Sequence, residues 1–490
     1  MPYPADMVGR RAEWARVQEF ARSGEADASL GIVWGRWRVG KSFLLESVVD
    51  ENDGFYYAAV RGSSAEALRE LGERIGARQG AAAPLALDTW EQAIEALLAL
   101  GRERETIVVL DEYPYLLEHT PHLDSIIQRA FGVRAPARAT SRTRLILCGS
   151  AMTVMSRILG GTAPLRGRAG MDLRISPFDF RLARDLHGIA DARTALRTYS
   201  VIGGVPAYAR EMVGGDLPSG RGDFDRWICR RVLSPAAPLF SEVPLLLSED
   251  PATARARKIN LYHAALAGIA TGHHAHGKLT SYVKIPGASL APIIEALVAA
   301  ELVHRVQDPI RENRPTYHPG DPLIRFHYAV IRRHQARLSR HDADTARTWR
   351  HIRPTFASQV LGPCFEAAAR YWAAHFADPA SLGGYPDHVG PVTVVLPDGA
   401  EHQVDVVVAA ADSESPLERS VLALGEAKSG ERVTKRHPQR LEAVRTVLGH
   451  RAAGARLILF GADFAPGLTR AALERDDVEL VDLDRLYTDG

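Results

Sequence analysis

The chain has 490 residues, of which 46% are hydrophobic and 24% are charged. This composition is typical of folded globular proteins, it excludes a mostly disordered chain, and the length suggests about three domains. The 60 basic and 59 acidic residues nearly balance, so overall charge does not indicate a nucleic-acid partner. The three cysteines are too widely spaced for a disulfide framework or a zinc knuckle. No signal pattern or membrane-length apolar run occurs, which predicts a cytoplasmic protein with no membrane partner.

Lysine is scarce, since it accounts for only six of the 60 basic residues. An arginine cannot take the place of a compact ammonium at a tight site, so a retained lysine marks a candidate functional position. Lys41 and Lys428 both lie in motifs described below. For Lys258 and Lys435, residual codon usage is the expected explanation.

Residues 1–180 alternate short apolar runs with longer helical patterns, which predicts an α/β domain with a parallel sheet. The predicted helices span 64–77 and 89–100. The predicted strands span 30–34, 54–60, 106–110 and 144–148.

A glycine-rich loop follows the first predicted strand. From Gly35 through Gly40, Lys41 and Ser42, it matches every fixed position of the P-loop pattern G-x-x-x-x-G-K-[ST]. Such a loop turns its backbone amides toward phosphates, Lys41 reaches the β- and γ-phosphates, and the Ser42 hydroxyl ligates Mg²⁺. Phe43 begins the following helix, whose N-terminus favours anions. The pattern predicts a site for ATP and Mg²⁺.

Two consecutive carboxylates end the third predicted strand, at Asp111 and Glu112. In P-loop enzymes an acid at this point holds Mg²⁺ directly or through water, which is the role predicted for Asp111. Glu112 is placed to polarise the attacking water as a general base.

Further short motifs resemble those of AAA+-type ATPases. The sequence from Val8 through Gly9, Arg10 and Glu13 resembles their "VGR-x-x-E" opening, which implies that Gly9 and Arg10 lie near the adenine. The segment ending at Ser150 is similar to their sensor strand, and implies that Ser150 senses the γ-phosphate or water.

Two other motifs resemble those of prokaryotic ATPases related to the STAND class. Pro164-Leu-Arg166-Gly-Arg168 resembles their "P-L-x-G-R" turn, which makes Arg168, with Arg166 as the alternative, a sensor or finger for the transition state. The segment 203–208 resembles their "GG-x-P-x-Y" lid motif, with Pro206 near the nucleotide. Locally, a solvated charge and a turn before a helix explain the two segments as well.

The middle segment, 181–345, predicts helices and then two short strands, in winged-helix order. Lys278, Lys284, His304 and Arg305 place positive charge there, so DNA is one candidate partner. A lid or a protein contact is the alternative. The helices are predicted at 259–269, 279–283 and 290–300, and the strands at 302–306 and 314–317.

Three histidines cluster in this segment, at His273, His274 and His276. Clustered histidines can bind a metal, but no carboxylate or cysteine stands at a recognisable spacing. We therefore expect an exposed loop here.

Residues 346–490 predict the order α-β-β-β-α-β, which resembles the core of the PD-(D/E)XK nuclease superfamily. Leu361–Glu366 resembles the "LG-x-x-FE" entry motif of that domain when it is fused to prokaryotic ATPases. The helices are predicted at 361–376 and 439–448, and the strands at 392–396, 403–408, 421–425 and 456–460.

The chemistry of a nuclease requires carboxylates and a cation on neighbouring strands. Asp405 and Glu426 are positioned to hold Mg²⁺, and Lys428, two residues further on the same strand face, activates water or stabilises charge. Glu366 on the preceding helix is a further candidate metal ligand. A polar insertion at 409–420 lengthens the usual spacing, so an inactive fold remains the alternative.

The predicted fold class is α/β, with a P-loop NTPase sheet, a helical lid and winged helix, and a C-terminal PD-(D/E)XK-like domain. The predicted boundaries are 1–180, 181–345 and 346–490. The predicted function is an ATP-hydrolysing switch with a nuclease-like effector. The alternative is an ATP-dependent DNA- or protein-binding regulator with an inactive C-terminal fold, and a homo-oligomer stays open. A metabolic kinase is disfavoured, because no acceptor motif accompanies the P-loop.

Overall fold

The computed structural model describes residues 3–161, 163–249, 253, 259–342 and 344–488. The chain divides into two compact units. The first comprises Met1–Pro177, Val205–Ala207 and Leu246–Ala256; the second comprises Phe178–Gly204, Tyr208–Leu245 and Arg257–Gly490. The three-domain division remains a prediction, and the segment that contains Pro206 belongs to the first unit although it falls within the predicted middle domain.

The first unit contains a five-stranded parallel sheet with the order β2-β3-β4-β1-β5. The four predicted strands are confirmed. The fifth was missed, because its alternating exposed and buried residues form no apolar run. The strands are β1 Ser29–Trp34, β2 Phe55–Ala58, β3 Thr106–Asp111, β4 Thr143–Gly149 and β5 Ala169–Arg174.

Helices cover both faces of this sheet, which explains why the central strands are buried throughout. Along β3, Val108 and Leu110 join one core cluster, whereas Ile107 and Val109 join the cluster on the opposite face. The helices are Arg11–Ala21, Lys41–Glu51, Ser64–Arg78, Trp90–Ala99, Tyr113–His119, Leu123–Ala130, Pro136–Ala139 and Met152–Leu159.

The second unit is mainly helical before residue 303. The helix Pro238–Glu249 contains residues of both units, because the division falls between Leu245 and Leu246. Its other described helices before residue 340 are Phe180–His187, Ala192–Ile202, the π-helix Tyr208–Met212, Phe224–Arg231, Ile259–Ala270, His276–Val283, Gly287–Ala299, Pro322–Phe326, the π-helix His327–Ile331 and Arg332–Leu338.

The three helices and two strands predicted for the winged-helix segment are present. The strands β6 Val303–Val306 and β7 Thr316–Pro319 form an antiparallel pair. Within the described ranges no single helix is long and apolar enough to cross a membrane, although His276–Val283 and Gly287–Ala299 pass that test as a pair bent by 108°.

A mixed five-stranded sheet with the order β12-β11-β10-β9-β8 follows. Strands β8, β9 and β10 pair antiparallel, and β10, β11 and β12 pair parallel. The predicted order α-β-β-β-α-β is observed, and β12 was missed. The strands are β8 His388–Val395, β9 Glu401–Ala409, β10 Val421–Lys428, β11 Arg456–Gly461 and β12 Val478–Val481.

The helix predicted at 361–376 is Gly362–His375, and it packs across β9 and β10. Its buried Trp372 meets the Phe460 ring of β11 edge-on at 5.7 Å between ring centroids. This packing turns Glu366 and Arg370, one helical turn apart, toward Asp405 on β9. The remaining helices are Thr345–Phe356, the π-helix Ala357–Leu361, Pro379–Leu382, Arg436–Leu448, the 3₁₀-helix Gly449–Ala452, Pro466–Leu473 and Leu483–Tyr487.

Candidate functional site

The P-loop follows β1 at the carboxyl edge of the parallel sheet. A Cβ at Gly35 would lie 2.1 Å from the carbonyl oxygen of Ile175, so only glycine fits there. Gly40 has a left-handed φ of 89°, and the helix begins at the next residue, Lys41. The Lys41 side chain is buried, and its Nζ donates to the carbonyl of Arg36 at 2.9 Å. The loop and the start of the helix therefore enclose an ammonium next to the position that phosphates occupy in P-loop proteins.

Asp111, at the end of β3, accepts hydrogen bonds from several directions. The Ser42 hydroxyl donates to its Oδ2 at 2.7 Å, the Tyr56 hydroxyl to the same oxygen at 2.5 Å, and the amide of Glu112 to Oδ1 at 2.8 Å. Burial alone would raise the pKa of Asp111, but hydrogen bonds from Cys148, Tyr56, Ser42 and that amide together lower it. The carboxylate is thus held ionised beside the Ser42 hydroxyl, and both groups supply the oxygen ligands that Mg²⁺ prefers.

Glu112 has a left-handed backbone, with φ 51°, at the start of the helix after β3. The Ser150 hydroxyl lies 2.8 Å from its Oε2 and 3.1 Å from its Oε1, so the predicted sensor residue hydrogen-bonds the predicted base. Burial and then the charge of Asp111 raise the pKa of Glu112, while Ser150, Lys41 and Arg61 oppose the rise. A carboxylate with a raised pKa is a stronger proton acceptor, which suits a general base.

Arg10 braces the P-loop through the backbone. Its guanidinium donates to the carbonyls of Val39 at 3.0 Å and Ser176 at 2.7 Å, and it pairs with Glu13 at 2.8 Å. The preceding Gly9 has a φ of 69°, which favours glycine. These contacts give Arg10 a role in shaping the loop, whereas its predicted nearness to the adenine stays a prediction.

The remaining predicted nucleotide-site residues of the first unit lie at different distances from the loop. A Cβ on Gly40 would be 3.9 Å from the Pro206 ring, so Pro206 lies beside the P-loop. Phe43 is partly exposed on the helix that follows. Arg168 is exposed in the turn before β5, and none of the described carboxylates forms an ion pair with it. Its role as a transition-state cation stays a prediction.

The residues of this site fit ATP and Mg²⁺. Lys41 and the loop amides would hold the phosphates, and Ser42 with Asp111 would hold the metal. Glu112 would receive the proton of the attacking water. Tyr56, Cys148 and Arg61 were missed by the sequence analysis, because nothing in their local sequence places them beside Asp111 and Glu112.

The second unit contains another cluster of charged groups, on β9 and β10. Nζ of Lys428 lies 3.0 Å from Oε1 of Glu426 and 3.7 Å from Oδ2 of Asp405, so the three predicted side chains converge. The amide of Ala427 donates to the same oxygen of Asp405 at 2.9 Å. Burial alone would lower the pKa of Lys428, but Asp405 and Glu426 together raise it. The ammonium therefore remains charged, which favours charge stabilisation over proton abstraction.

Glu366 approaches this cluster from the helix Gly362–His375. Burial and the charge of Asp405 raise the pKa of Glu366 to about 7. Burial also raises the pKa of Asp405, against the opposing charge of Lys428. Arg370 fixes the strand from the other side, because its guanidinium donates to the Asp405 carbonyl at 2.9 Å. Carboxyls crowded in this way gain from a bound cation, which would let them ionise together.

His402 was missed by the sequence analysis, and it lies in this cluster. Its Nε2 is 3.6 Å from Oε2 of Glu426, and both atoms are buried without a hydrogen-bond partner. Arg440 approaches the other oxygen of Glu426 at 3.6 Å. The unpartnered Glu426 oxygen fits a cation ligand; however, no group of three His, Cys, Asp or Glu side chains within the described chain meets the requirements of a metal site.

The candidate DNA-binding surface carries less charge than predicted. Lys278, Lys284 and His304 are exposed, but Arg305 forms an ion pair with Glu295. The exposed positions of the third helix carry no lysine or arginine; they are Ala288, Ser289, Ala291, Pro292, Glu295 and Ala299.

The histidine cluster is not the exposed loop that was predicted. The ring of His274 interacts with the carbonyl of Tyr317 at 2.8 Å and stacks on the ring of His318, with 4.3 Å between centroids. Burial lowers the pKa of His274 to about 4. The correction has a local cause: residues 274–275 pair with β7, and this pairing draws the segment into the fold.

The loop between β6 and β7 is anchored on the C-terminal sheet. Ile310 is buried in the same core cluster as Val392 and Val407 of β8 and β9. Arg311 donates to the carbonyl of Thr393 at 2.7 Å. The winged-helix segment and the C-terminal sheet therefore share a core.

Comparison with known proteins concerns mainly the N-terminal part of the chain. Residues 7–209 match the model of an ATPase domain described as predominantly from Archaea. An uncharacterized protein of Methanocaldococcus jannaschii is 24% identical over 307 residues, which are 61% of this chain and 63% of the relative, so the chain spans less than two thirds of that protein.

Two solved structures are also similar to this chain. The Walker-type ATPase of Pyrococcus abyssi has 22% identity and a TM-score of 0.50, covering 66% of this chain and 97% of its own. The ORC2 protein of Aeropyrum pernix, in ADPNP and ADP complexes, has 14% identity and a TM-score of 0.41, covering 68% and 97%. Residues 7–209 are therefore similar to an ATPase domain found predominantly in Archaea, and the likeness to the first structure is one of fold.

Proposed function

We propose that the protein is an ATP-hydrolysing switch whose second unit carries a metal-dependent site for cleaving phosphodiester bonds in nucleic acid. Bound ATP would hold the loops at the carboxyl edge of the first sheet in one conformation, as in other nucleotide switches. The state of that site would then regulate the second unit.

The observation that carries the nuclease assignment is the convergence of Lys428 with Asp405 and Glu426. Two carboxylates and a charged lysine on adjacent strands are the groups needed to hold Mg²⁺ and to stabilise the charge that develops on a phosphate. Glu366, whose pKa burial and Asp405 raise to about 7, supplies an additional ligand once a bound cation lowers that pKa.

Cleavage of plasmid DNA and of single-stranded RNA by the full chain, with Mg²⁺ or Mn²⁺ and with or without ATP, tests this proposal. Asp405→Ala and Glu426→Ala should abolish cleavage, whereas ATP hydrolysis should continue. Lys428→Ala should retain metal binding and lose rate, and Lys428→Arg should not restore it, because a guanidinium is bulkier.

Matched controls come from exposed residues of the same unit. Asp412 lies in the polar insertion, and Lys435 precedes the helix Arg436–Leu448. Asp412→Ala and Lys435→Ala should cleave like the unmodified chain. Cleavage that persists in Asp405→Ala, or that needs no divalent cation, would contradict the proposed site.

The second candidate function is an ATP-dependent regulator that binds a protein or DNA and does not cleave. Two observations favour it: Lys428 already pairs with both carboxylates, and the β6–β7 loop is anchored through Ile310 on the C-terminal sheet. A protein that hydrolyses ATP but cleaves no nucleic acid with any divalent cation would support this candidate.

A further inference from the structure

A second cation near the nucleotide site is Arg61, three residues beyond β2. Strand β2 is the neighbour of β3, and the pairing continues past its end because the amide of Ala59 donates to the carbonyl of Asp111 at 2.9 Å. Arg61 therefore lies beside the carboxylates that end β3. In open parallel sheets, ligands bind at this carboxyl edge.

An aromatic pair connects Arg61 to the P-loop. The guanidinium carbon of Arg61 lies 5.0 Å from the centroid of the Tyr115 ring. The other neighbour of Tyr115 is Trp37 of the P-loop, with 6.4 Å between ring centroids. Tyr115 is on the helix that begins directly after Glu112. Its ring therefore lies between the guanidinium of Arg61 and the Trp37 ring of the P-loop.

Arg61 acts on Glu112 only through its charge at a distance and not through an ion pair. The residue is exposed, and no carboxylate in the described ranges forms an ion pair with it. This distinguishes it from Arg74 of the same unit, which also lies over a tyrosine ring, that of Tyr57 at 5.5 Å, but is paired with Glu70 at 2.9 Å. A guanidinium that lies at the carboxyl-terminal edge of the sheet and forms no ion pair with a described carboxylate is available to an anionic ligand.

We infer that Arg61 contacts the γ-phosphate of ATP and stabilises the transition state of its hydrolysis, acting from within the same chain. This inference rests on the proposed ATP hydrolysis. In that reaction the water oxygen bonds to the γ-phosphorus while the bond to the β–γ bridging oxygen breaks, and the proton of the water passes to Glu112. Negative charge is spread over the three equatorial oxygens of the γ-phosphoryl group and the departing ADP, and a guanidinium beside Glu112 offsets the part on the equatorial oxygens. Lys41 supplies the charge on the loop side, and Arg61 supplies it on the β2 side.

The inference is tested by measuring ATP and ADP affinity and ATP turnover for Arg61→Ala, Arg61→Lys and the control Arg74→Ala. Arg61→Ala should weaken ATP binding by about tenfold while ADP binding changes less than about twofold, since only ATP has the γ-phosphate. Turnover should fall by about 100-fold or more, as for the loss of one donor to a transition state. Arg61→Lys should recover part of the affinity and little of the rate, and Arg74→Ala should match the unmodified chain.

The affinity and turnover measurements distinguish the assignment of Arg61 from the proposed ATPase activity. If Arg61→Ala kept both the ATP-to-ADP affinity ratio and the rate, the assignment of Arg61 would be wrong. If the unmodified chain bound ATP but did not hydrolyse it, the proposed ATPase activity would fail, and the affinity ratio would still decide whether Arg61 contacts the γ-phosphate. A loss of ATP and ADP affinity by the same factor would show a role in folding or in base binding and would overturn the inference.

Discussion

Replacing Glu112 by glutamine separates nucleotide binding from hydrolysis. The amide has the size of the carboxylate, tolerates the same left-handed backbone, and keeps a carbonyl that can accept the Ser150 hydroxyl, now 2.8 Å from Oε2. The folded unit should therefore lose less than about 1 kcal/mol of stability, the value of one ordinary hydrogen bond. Hydrolysis should fall by about 10²- to 10⁴-fold, the usual contribution of a general base, which corresponds to about 3 to 5 kcal/mol in the barrier.

The same substitution should tighten ATP binding. An ionised Glu112 repels the γ-phosphate, and two unit charges about 6 Å apart interact by about 3 kcal/mol at an effective dielectric constant of 20. Part of this repulsion is already absent, because burial and Asp111 raise the pKa of Glu112, so a gain of up to about tenfold in affinity is expected. Fluorescent-nucleotide titration and phosphate release measure the two effects, with Glu70→Gln, at a partly exposed glutamate of the same unit, as control. Lost ATP binding, or unchanged turnover, would refute the assignment of Glu112 as the base.

The other predictions concern separate parts of the chain. Lys41→Ala should weaken ATP binding by about 100-fold or more in nucleotide titrations, because it removes the buried ammonium of the loop; unchanged affinity would exclude Lys41 from the site. If the winged-helix segment binds DNA, Lys278→Glu with Lys284→Glu should flatten the log–log salt dependence by about two, and no binding at low salt would leave this segment as a lid or protein contact. Burial lowers the pKa of His187 to about 4. As the pH is lowered from 6.5 to 5, the unfolded chain takes up a proton that the folded chain does not, so the free energy of unfolding decreases. His187→Leu should remove about 2 kcal/mol of that loss in denaturant titrations at pH 7 and 5, and an equal loss in both proteins would contradict the shifted pKa.

The nucleotide site could be predicted from the sequence where its chemistry is local. The residues from Gly35 to Ser42 form one loop, and the two carboxylates at 111–112 directly follow an apolar strand. Tyr56 and Arg61 could not be predicted, because their position depends on β2 being the neighbour of β3 in the sheet. Apolar runs in the sequence predict where strands lie along the chain, but not which strands are neighbours in the sheet.

The second site shows the same limit in a different form. The convergence of Asp405 and Glu426 could be predicted, since successive strands usually pair. His402 was overlooked because its distance of three residues from Asp405 suggests the opposite face of a flat strand, yet its ring reaches Glu426 on β10. The burial of His274 was missed for a related reason, since its partner on β7 is more than 40 residues away in sequence.

The scarcity of lysine provides an independent argument for both sites. Lys41 is 5% exposed and is enclosed by its own loop, and Lys428 is held between two carboxylates. Lys278, Lys284 and Lys435 are exposed on the surface, and Lys258 lies outside the described residues. A chain that uses arginine at nearly every basic position therefore has one lysine that is buried in the P-loop and one, partly exposed, that pairs with two carboxylates. The proposed nuclease site would give Lys428 the same requirement for a compact ammonium that the P-loop gives Lys41.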